Sequence, residues 1–414
     1  MSVVETALKT IKSMRVPTNE LDLTGICVLQ VVPALNAGGV ERTTLEIASA
    51  VVSAGGRAIV ASSGGRLEAD LLRSSATHVF LPLDSKNPLT IASNASRLKR
   101  LVKEEGAGIV HARSRAPAWS AFLATRKSRA AFVTTYHGAY RVQNPLKGLV
   151  NSVMARGDIV IANSEFTAET VRALYPFGAR KMIVIPRGAD LKDFGAQAVD
   201  EDARLAAATL LGWDDRTKTR VLLPARLTEW KGHKTAIQAL SKLRDRDPAA
   251  IDGLVLTIVG DPQGRSAYVG ALNDIITNLN LSAHVVIRDH VTNMPAAYAA
   301  CDLVLVPSER PEAFGRVAVE AAAAEKFVIA SKCGALSETI VDGETGMLFA
   351  PADADDLASK ILISLRKTKA ERAEIGARAK ARAASQYSLD AMISSTLRVY
   401  LHLAERHSSS DSNN

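Results

Sequence analysis

Short apolar runs recur along the chain and alternate with stretches of helical character. The first series comprises residues 27–32, 58–61, 78–81, 108–111, 131–135, 159–162 and 182–185, with a helix opening near residue 39. Brief apolar runs bounded by turn residues read as buried strands, and strands alternating with helices read as βαβ units around a parallel sheet. Over residues 193–216 the pattern lapses into a polar, Ala-rich stretch, which is expected to be a linker. A second series follows at 220–224, 254–259, 284–287, 303–306, 327–330 and 347–349. The chain is therefore expected to be α/β, with two doubly wound Rossmann-like domains at residues 25–192 and 217–385. Such sheets bind ligands at the carboxyl ends of their strands, so a central cleft faced by both domains is the expected ligand site. Residues 1–24 precede the first domain. Within them residues 1–15 can be drawn as an amphipathic helix with Val3, Val4, Ala7, Leu8, Ile11 and Met14 on one side, either lying on a membrane or packed as a terminal helix. A long helical stretch closes the chain over residues 386–406, and the polar residues 407–414 are expected to be a disordered tail.

Composition changes this picture little. A chain of 414 residues with 47% hydrophobic and 23% charged residues suits a globular protein of two domains. No apolar run approaches the roughly 18 residues that span a bilayer, and the N-terminal cations precede no apolar signal region. Cys27, Cys301 and Cys333 lie far apart with no metal-ligand spacing and read as core thiols of a cytoplasmic protein. Charge is more telling. Up to Phe194 there are 25 Lys and Arg against 15 Asp and Glu, while the remainder has 26 against 28. A basic first half points to an anionic partner there. Aromatics make up only 5% and do not cluster among the basic residues, so an anionic glycolipid, glycan or membrane surface is favoured over nucleic acid.

The densest candidate chemistry lies in Arg310-Pro-Glu-Ala-Phe-Gly-Arg-Val-Ala-Val-Glu320, which leads from an apolar strand into an Ala-rich helix. Either Glu312 and Glu320 are two solvated glutamates, or they hold a polyhydroxylated ligand, Glu312 through sugar hydroxyls and Glu320 through a ribose diol. Phe314, Gly315 and Arg316 fall at the helix N-terminus, where free amides and the helix dipole favour a phosphate. Arg226 and Lys231 leave the first strand of the second domain. They are either solvated loop charges or the two cations that a departing diphosphate needs. In the first domain, Gly38 and Gly39 follow the first strand and let a backbone approach a ligand, or simply make a tight turn. The turn is not G-x-G-x-x-G and no acidic residue ends the second strand, which disfavours a dinucleotide cofactor. His137 ends an apolar strand, where it is either structural or a hydrogen-bonding partner for a sugar or phosphate. Ser164 or Thr167 reads as a helix cap. Asp245-Arg-Asp247 lies in a polar helical stretch and Asp353-Ala-Asp355 looks like another cap, so no metal is expected.

In order along nearly the whole chain, several short motifs resemble those of the retaining nucleotide-sugar glycosyltransferases of family 4. These are Gly-Gly-x-Glu-Arg, the strand-end His-Gly, Asn-Ser-x-Phe-Thr, Ile185-Pro-Arg-Gly-Ala-Asp190, Arg-Leu-x-x-x-Lys-Gly, Met294-Pro before an apolar strand, the paired glutamates, and Gly343-Glu-Thr-Gly-Met-Leu348. The resemblance implies the GT-B fold, with the C-terminal helix crossing back to the first domain. It also implies a nucleoside-diphosphate sugar as donor, with no metal or other cofactor. Arg226 and Lys231 would hold its pyrophosphate, Glu320 its ribose, and Glu312 with the amides of Phe314 and Gly315 its sugar. His137 would contact the transferring sugar and Gly39 would sit against the diphosphate. The chain is most similar to bacterial envelope enzymes that pass mannose or a similar hexose to lipopolysaccharide core or another envelope glycan, peripheral on the cytoplasmic face of the inner membrane. Three positions depart from the family pattern: Arg187 stands for the usual Asn, Ala225 for a Gly before Arg-Leu, and Asp289 for a Gly before the Met-Pro helix. Arg187 adds a cation that would tune donor or acceptor preference. Two other classes compete, a sugar-nucleotide epimerase of the same fold and a non-catalytic binding module. The module would be expected to lack one of Glu312, Glu320, Arg226 or Lys231, and all four are present.

Overall fold

The structure is a computed structural model that describes residues 21–36, 38–138, 144–195, 198–215 and 217–411. The chain divides into two compact units, Met1–Gly188 with Asp390–Asn414, and Ala189–Leu389.

In the first unit seven strands form one parallel sheet: β1 (Cys27–Val31), β2 (Arg57–Ser62), β3 (Thr77–Phe80), β4 (Ile109–Ala112), β5 (Ala131–Tyr136), β6 (Ile159–Ala162) and β7 (Met182–Val184). Their order is β3-β2-β1-β4-β5-β6-β7. Every residue of β1, β4, β5 and β6 is buried, as expected when helices cover both faces of a parallel sheet. The core is made by Leu29, Val31, Val110, Phe132, Tyr136 and Val160 with Leu98 and Val153 from the covering helices.

The second unit repeats the plan with β8 (Thr219–Pro224), β9 (Leu254–Val259), β10 (Val285–Arg288), β11 (Leu303–Val306), β12 (Phe327–Ser331) and β13 (Met347–Phe349), ordered β10-β9-β8-β11-β12-β13. Leu223, Leu256, Ile258, Leu305 and Phe327 fill one side of this sheet, Trp213, Leu222, Tyr298 and Val304 the other. In each unit the strand order reverses beside the first strand, between β1 and β4 and between β8 and β11. A crevice opens there at the carboxyl ends, and it is where doubly wound sheets take their ligands.

Two sequence expectations change. The stretch 193–216, expected as a linker, belongs to the second unit and holds the helix Glu201–Leu210. Asp200 caps that helix by accepting from the Ala203 amide at 2.7 Å. Ala207 and Ala208 bury its inner face, and Trp213 beyond it donates to Thr257 Oγ1 at 2.8 Å. Alanine is an excellent helix former but a weak apolar marker, so the periodic signal was faint. The closing helix spans Leu389–Asp411, beginning later than expected and remaining helical past residue 406. It belongs to the first unit, where Tyr400 is fully buried and shares a 2.6 Å hydrogen bond with His111 Nδ1. The amphipathic pattern at residues 1–15 and the last three residues, 412–414, lie outside the described residues.

The three cysteines are free and buried. Burial pushes each thiol pKa up, that of Cys301 to about 12. Among the described residues no helix is long and apolar enough to cross a membrane.

Candidate functional site

The residues with chemical promise gather at the two points where strand order reverses, one in each unit. In the second unit, the chain leaving β8 carries Arg226, then a single helical turn at Glu229–Lys231, and then the helix His233–Arg246. Gly232 joins the turn to the helix in a left-handed conformation, φ +75°. A β-carbon there would lie 1.8 Å from the carbonyl oxygen of Pro307. Only glycine lets this loop press against the end of β11, and that contact brings Lys231 to the segment after β11.

Lys231 Nζ donates to Glu312 Oε1, and the same oxygen accepts from Ser308 Oγ at 2.6 Å. Both charged side chains are 14% exposed. The ammonium also lies 4.2 Å from the centre of the Trp230 ring. Glu312 is held by its backbone as well, since its carbonyl accepts from the Ala335 amide at 2.9 Å. Lys231 and Glu312 thus act as one paired group, where the sequence suggested two separate ones. Arg226 is exposed, with no ion-pair partner among the described residues.

Glu320 lies on the helix Arg316–Ala323, which starts after the left-handed Gly315. The glutamate is 7% exposed, accepts from Tyr298 Oη at 3.2 Å, and pairs with Arg316 one turn earlier. The buried phenol has its pKa driven well up by desolvation first and by Glu320 second. Phe314 is buried and packs edge-on to Tyr387. The helix supplies free amides near two carboxylates and two cations, an arrangement able to accept from hydroxyls and donate to phosphate oxygens.

In the first unit the helix Gly39–Ser53 begins just past β1. A β-carbon on Gly39 would fall 2.1 Å from both terminal nitrogens of Arg187, and one on Gly38 2.6 Å from Glu41 Oε2. Arg113 follows β4 directly and is 3% exposed. Its Nε donates to Gln30 Oε1 at 2.8 Å, while its Nη2 is buried with no hydrogen-bond partner. His137 follows β5. Both its ring nitrogens are shielded from solvent and neither has a partner. Burial first, then the charges of Arg113 and Arg187, lowers its pKa to about 3, so the ring is neutral near pH 7.

That shift predicts an acid limb in stability. The unfolded chain takes a proton at His137 as pH falls through 6.5, whereas the folded chain does not until about 3. Stability should therefore fall with pH across that window and stay flat above it. His111 and His233 are lowered too, so His137→Gln should shallow the limb without abolishing it. Urea unfolding at pH 7 and pH 5 reads the difference. An unchanged limb in the variant would mean that His137 is not held neutral.

Ser308, Tyr298, Trp230 and Arg113 were missed by sequence reasoning. Arg113 had a usable signal, its place immediately after a strand at the first unit's reversal point. Ser164 caps its helix by accepting from the Thr167 amide at 3.1 Å, and Asp353 caps another by accepting from the Asp356 amide at 2.9 Å.

Residues 37–193 match the family described as Glycosyltransferase Family 4, and residues 214–382 match Glycosyl transferases group 1. The crystal structure of a glycosyltransferase from Rickettsia africae ESF-5 is 34% identical, with a TM-score of 0.82 over 92% of this chain and 98% of that one. The chain belongs to glycosyltransferase family 4. Its two parallel-sheet units are the Rossmann-like domains of the GT-B fold. HepE of Anabaena, crystallised with UDP, shares the family 4 chain's fold at TM-score 0.76 and 24% identity, over 93% of this chain and all of that one. A D-inositol 3-phosphate glycosyltransferase of Salinispora arenicola is 32% identical over 265 residues, covering 60% of this chain and 55% of that protein. The chain spans about half the length of the curated relatives that it matches first.

Proposed function

We propose that this family 4 protein transfers a hexose from a uridine diphosphate sugar to a hydroxyl of a phosphorylated acceptor, with retention at the sugar and without a metal. The observation that carries the reading is the part-buried Lys231–Glu312 pair, fixed by Ser308 at the reversal point of the second unit's sheet. A cation tied to a carboxylate suits a site that must hold a diphosphate and a sugar side by side. Lys231 and exposed Arg226 take the diphosphate as charge develops on it. Glu312, with the amides of Phe314 and Gly315, takes the sugar hydroxyls. Glu320, positioned by Tyr298 and Arg316, takes the ribose diol. In the first unit, neutral His137 and the Gly38–Gly39 turn offer hydrogen-bonding groups at the carboxyl edge of that unit's own sheet.

Uridine is favoured because the neighbour HepE was crystallised with UDP, and a hexose because it was also crystallised with UDP-glucose. A phosphorylated acceptor fits the excess of cations up to Phe194 and the substrate in the relatives' name, D-inositol 3-phosphate. Phosphate-bearing lipopolysaccharide core would satisfy the same chemistry.

A thermal-shift panel of UDP, GDP, ADP and their common sugar conjugates, run in EDTA, tests the donor assignment. UDP should raise Tm selectively, since a ligand at a hundred times its Kd adds about 2.7 kcal/mol to the stability of the folded chain. The rise should disappear in Lys231→Ala. No shift with any nucleotide at millimolar concentration would overturn the reading.

A further inference from the structure

We infer that the first unit carries a phosphate-binding pocket at the amino edge of its sheet, lined by Arg126, Arg129, Arg156 and Arg406. It goes beyond the transfer reading above and lies at the opposite end of the strands from the residues described for that unit. The pocket has a volume of about 390 Å³ between the turn before β5, the turn before β6 and the closing helix Leu389–Asp411. Phe122, Phe132 and Leu403 give it an apolar wall. β5 spans six residues at roughly 3.3 Å each, so about 20 Å separates the pocket from the carboxyl edge.

Helical spacing and ring packing bring the cations here. Trp119, Phe122, Leu123 and Arg126 recur at i, i+3, i+4 and i+7, one face of the helix Arg115–Thr125 and the residue that caps it. The Arg126 guanidinium lies 5.9 Å from the centre of the Phe122 ring. Arg156, just past the turn Ser152–Ala155, lies 5.9 Å from the same ring, 6.0 Å from that of Trp119 and 5.4 Å from that of Phe177. Two guanidinium groups are thus held against one phenyl ring. Neither has a carboxylate partner among the described residues, and Arg156 donates through Nε to Ser152 Oγ at a long 3.4 Å. Contact with a ring uses the face of a guanidinium and leaves the N–H donors on its edge. Arg129 and Arg406 add charge to the same lining while keeping further contacts within the fold. Asp158, the one carboxylate among the described lining residues, accepts from the Phe132 amide at 2.9 Å.

Four cations facing one carboxylate across a concave space repel one another, and an anion from outside relieves that repulsion. The donor type selects phosphate. Guanidinium edges match phosphate oxygens in pairs, and two edges reaching in from separate elements suit a tetrahedral anion better than a planar carboxylate, which one edge saturates. The pocket is larger than inorganic phosphate, and its apolar wall suits the organic part of an ester. Leu123 and Phe177, 43% and 56% exposed, extend the apolar surface around Arg126 and Arg156. The phosphate could come from a soluble ester or from a phospholipid headgroup. Bound there, it would tie the closing helix, through Arg406, to the turns before β5 and β6.

The probe is inorganic pyrophosphate, titrated into the full-length protein in EDTA with UDP already saturating. Tm is one readout, and the indole N–H resonance of Trp119, one of three tryptophans and a neighbour of Arg156, is the other. Pyrophosphate is expected to raise Tm and move that resonance, and sodium chloride at equal ionic strength is not. Arg126→Gln, at an exposed position, should weaken the apparent affinity about tenfold, the loss of one charge-assisted contact. Arg156→Gln should do the same, and if loss of its ring contacts unfolds the protein, Arg126→Gln carries the test alone. A soluble ester as the source predicts that vesicles of phosphatidylcholine with phosphatidylglycerol do not sediment the protein. A headgroup predicts that they do, that pyrophosphate competes, and that Arg126→Gln weakens the binding. A wild-type pyrophosphate response in Arg126→Gln, or a response matched by chloride, would overturn the pocket. The UDP shift itself should be equal in wild type and Arg126→Gln, so failure of the donor assignment reads out separately, as a UDP shift insensitive to Lys231→Ala.

Discussion

Glu312→Gln is expected to lower turnover on the order of a hundredfold or more while UDP still raises the protein's Tm. The substitution keeps the volume and most of the hydrogen bonding, so the loop after β11 should stay in place. What disappears is the charge that fixes Lys231. The ammonium would remain against Trp230 with only Ser308 and the new neutral amide nearby, and one missing preorganised polar contact commonly reduces turnover by two to three orders of magnitude. Stability should fall as well. Removing one partner of a buried ion pair costs about 3–5 kcal/mol, and the 14% exposure of both side chains places this pair toward the low end. Ser308→Ala supplies the comparison. It deletes only a neutral donor to Glu312 and should cost about 1 kcal/mol. Steady-state kinetics with urea unfolding of both variants decides. Wild-type turnover in Glu312→Gln would remove the pair from the chemistry.

Gly232→Ala should destabilise the second unit by more than about 4 kcal/mol, the range reached only by a few severe mechanisms. Two of them coincide here. A left-handed backbone costs an alanine about 1–2 kcal/mol, and the new methyl would sit 1.8 Å from the Pro307 carbonyl oxygen. The oxygen lies one residue past β11, a strand paired on both sides, so the loop is expected to move and carry Lys231 away from Glu312. Gly264→Ala separates the terms. Gly264 has nearly the same φ, +77°, with nothing within 4 Å of the added carbon. It should lose only the conformational part, about 1–2 kcal/mol. Equal losses in the two variants, measured by chemical unfolding, would show that contact with Pro307 is not what requires the glycine.

Much of the fold was written in the pattern of apolar runs. Both sheets are buried on both faces, so their strands carry continuous Val, Ile and Leu that turn residues punctuate, and the expected strands lie close to the observed ones. The Ala-rich helix Glu201–Leu210 escaped because its inner face is made of alanines, whose burial leaves little contrast. The candidate site was legible in kind but not in pairing. Lys231 and Glu312 stand 81 positions apart, and their meeting depends on β11 lying next to β8. Strand order of this sort is set by sheet packing, which local spacing does not encode. Likewise Glu320 was read as a ligand group, yet its rigidity comes from Tyr298, which lies across the fold on another helix. Arg113 looked like one of many basic residues in the first half. Its burial distinguishes it, and burial of a charged residue runs against what composition suggests.

The three shielded thiols have a practical consequence for labelling this protein. Thiol reagents attack the thiolate, and at Cys27, Cys301 and Cys333 burial disfavours that form. A single cysteine placed on an exposed surface should therefore take a maleimide dye or spin label selectively in the folded, otherwise native chain. Pairs of such probes, one on each unit, could then report distances during turnover with no native cysteine removed.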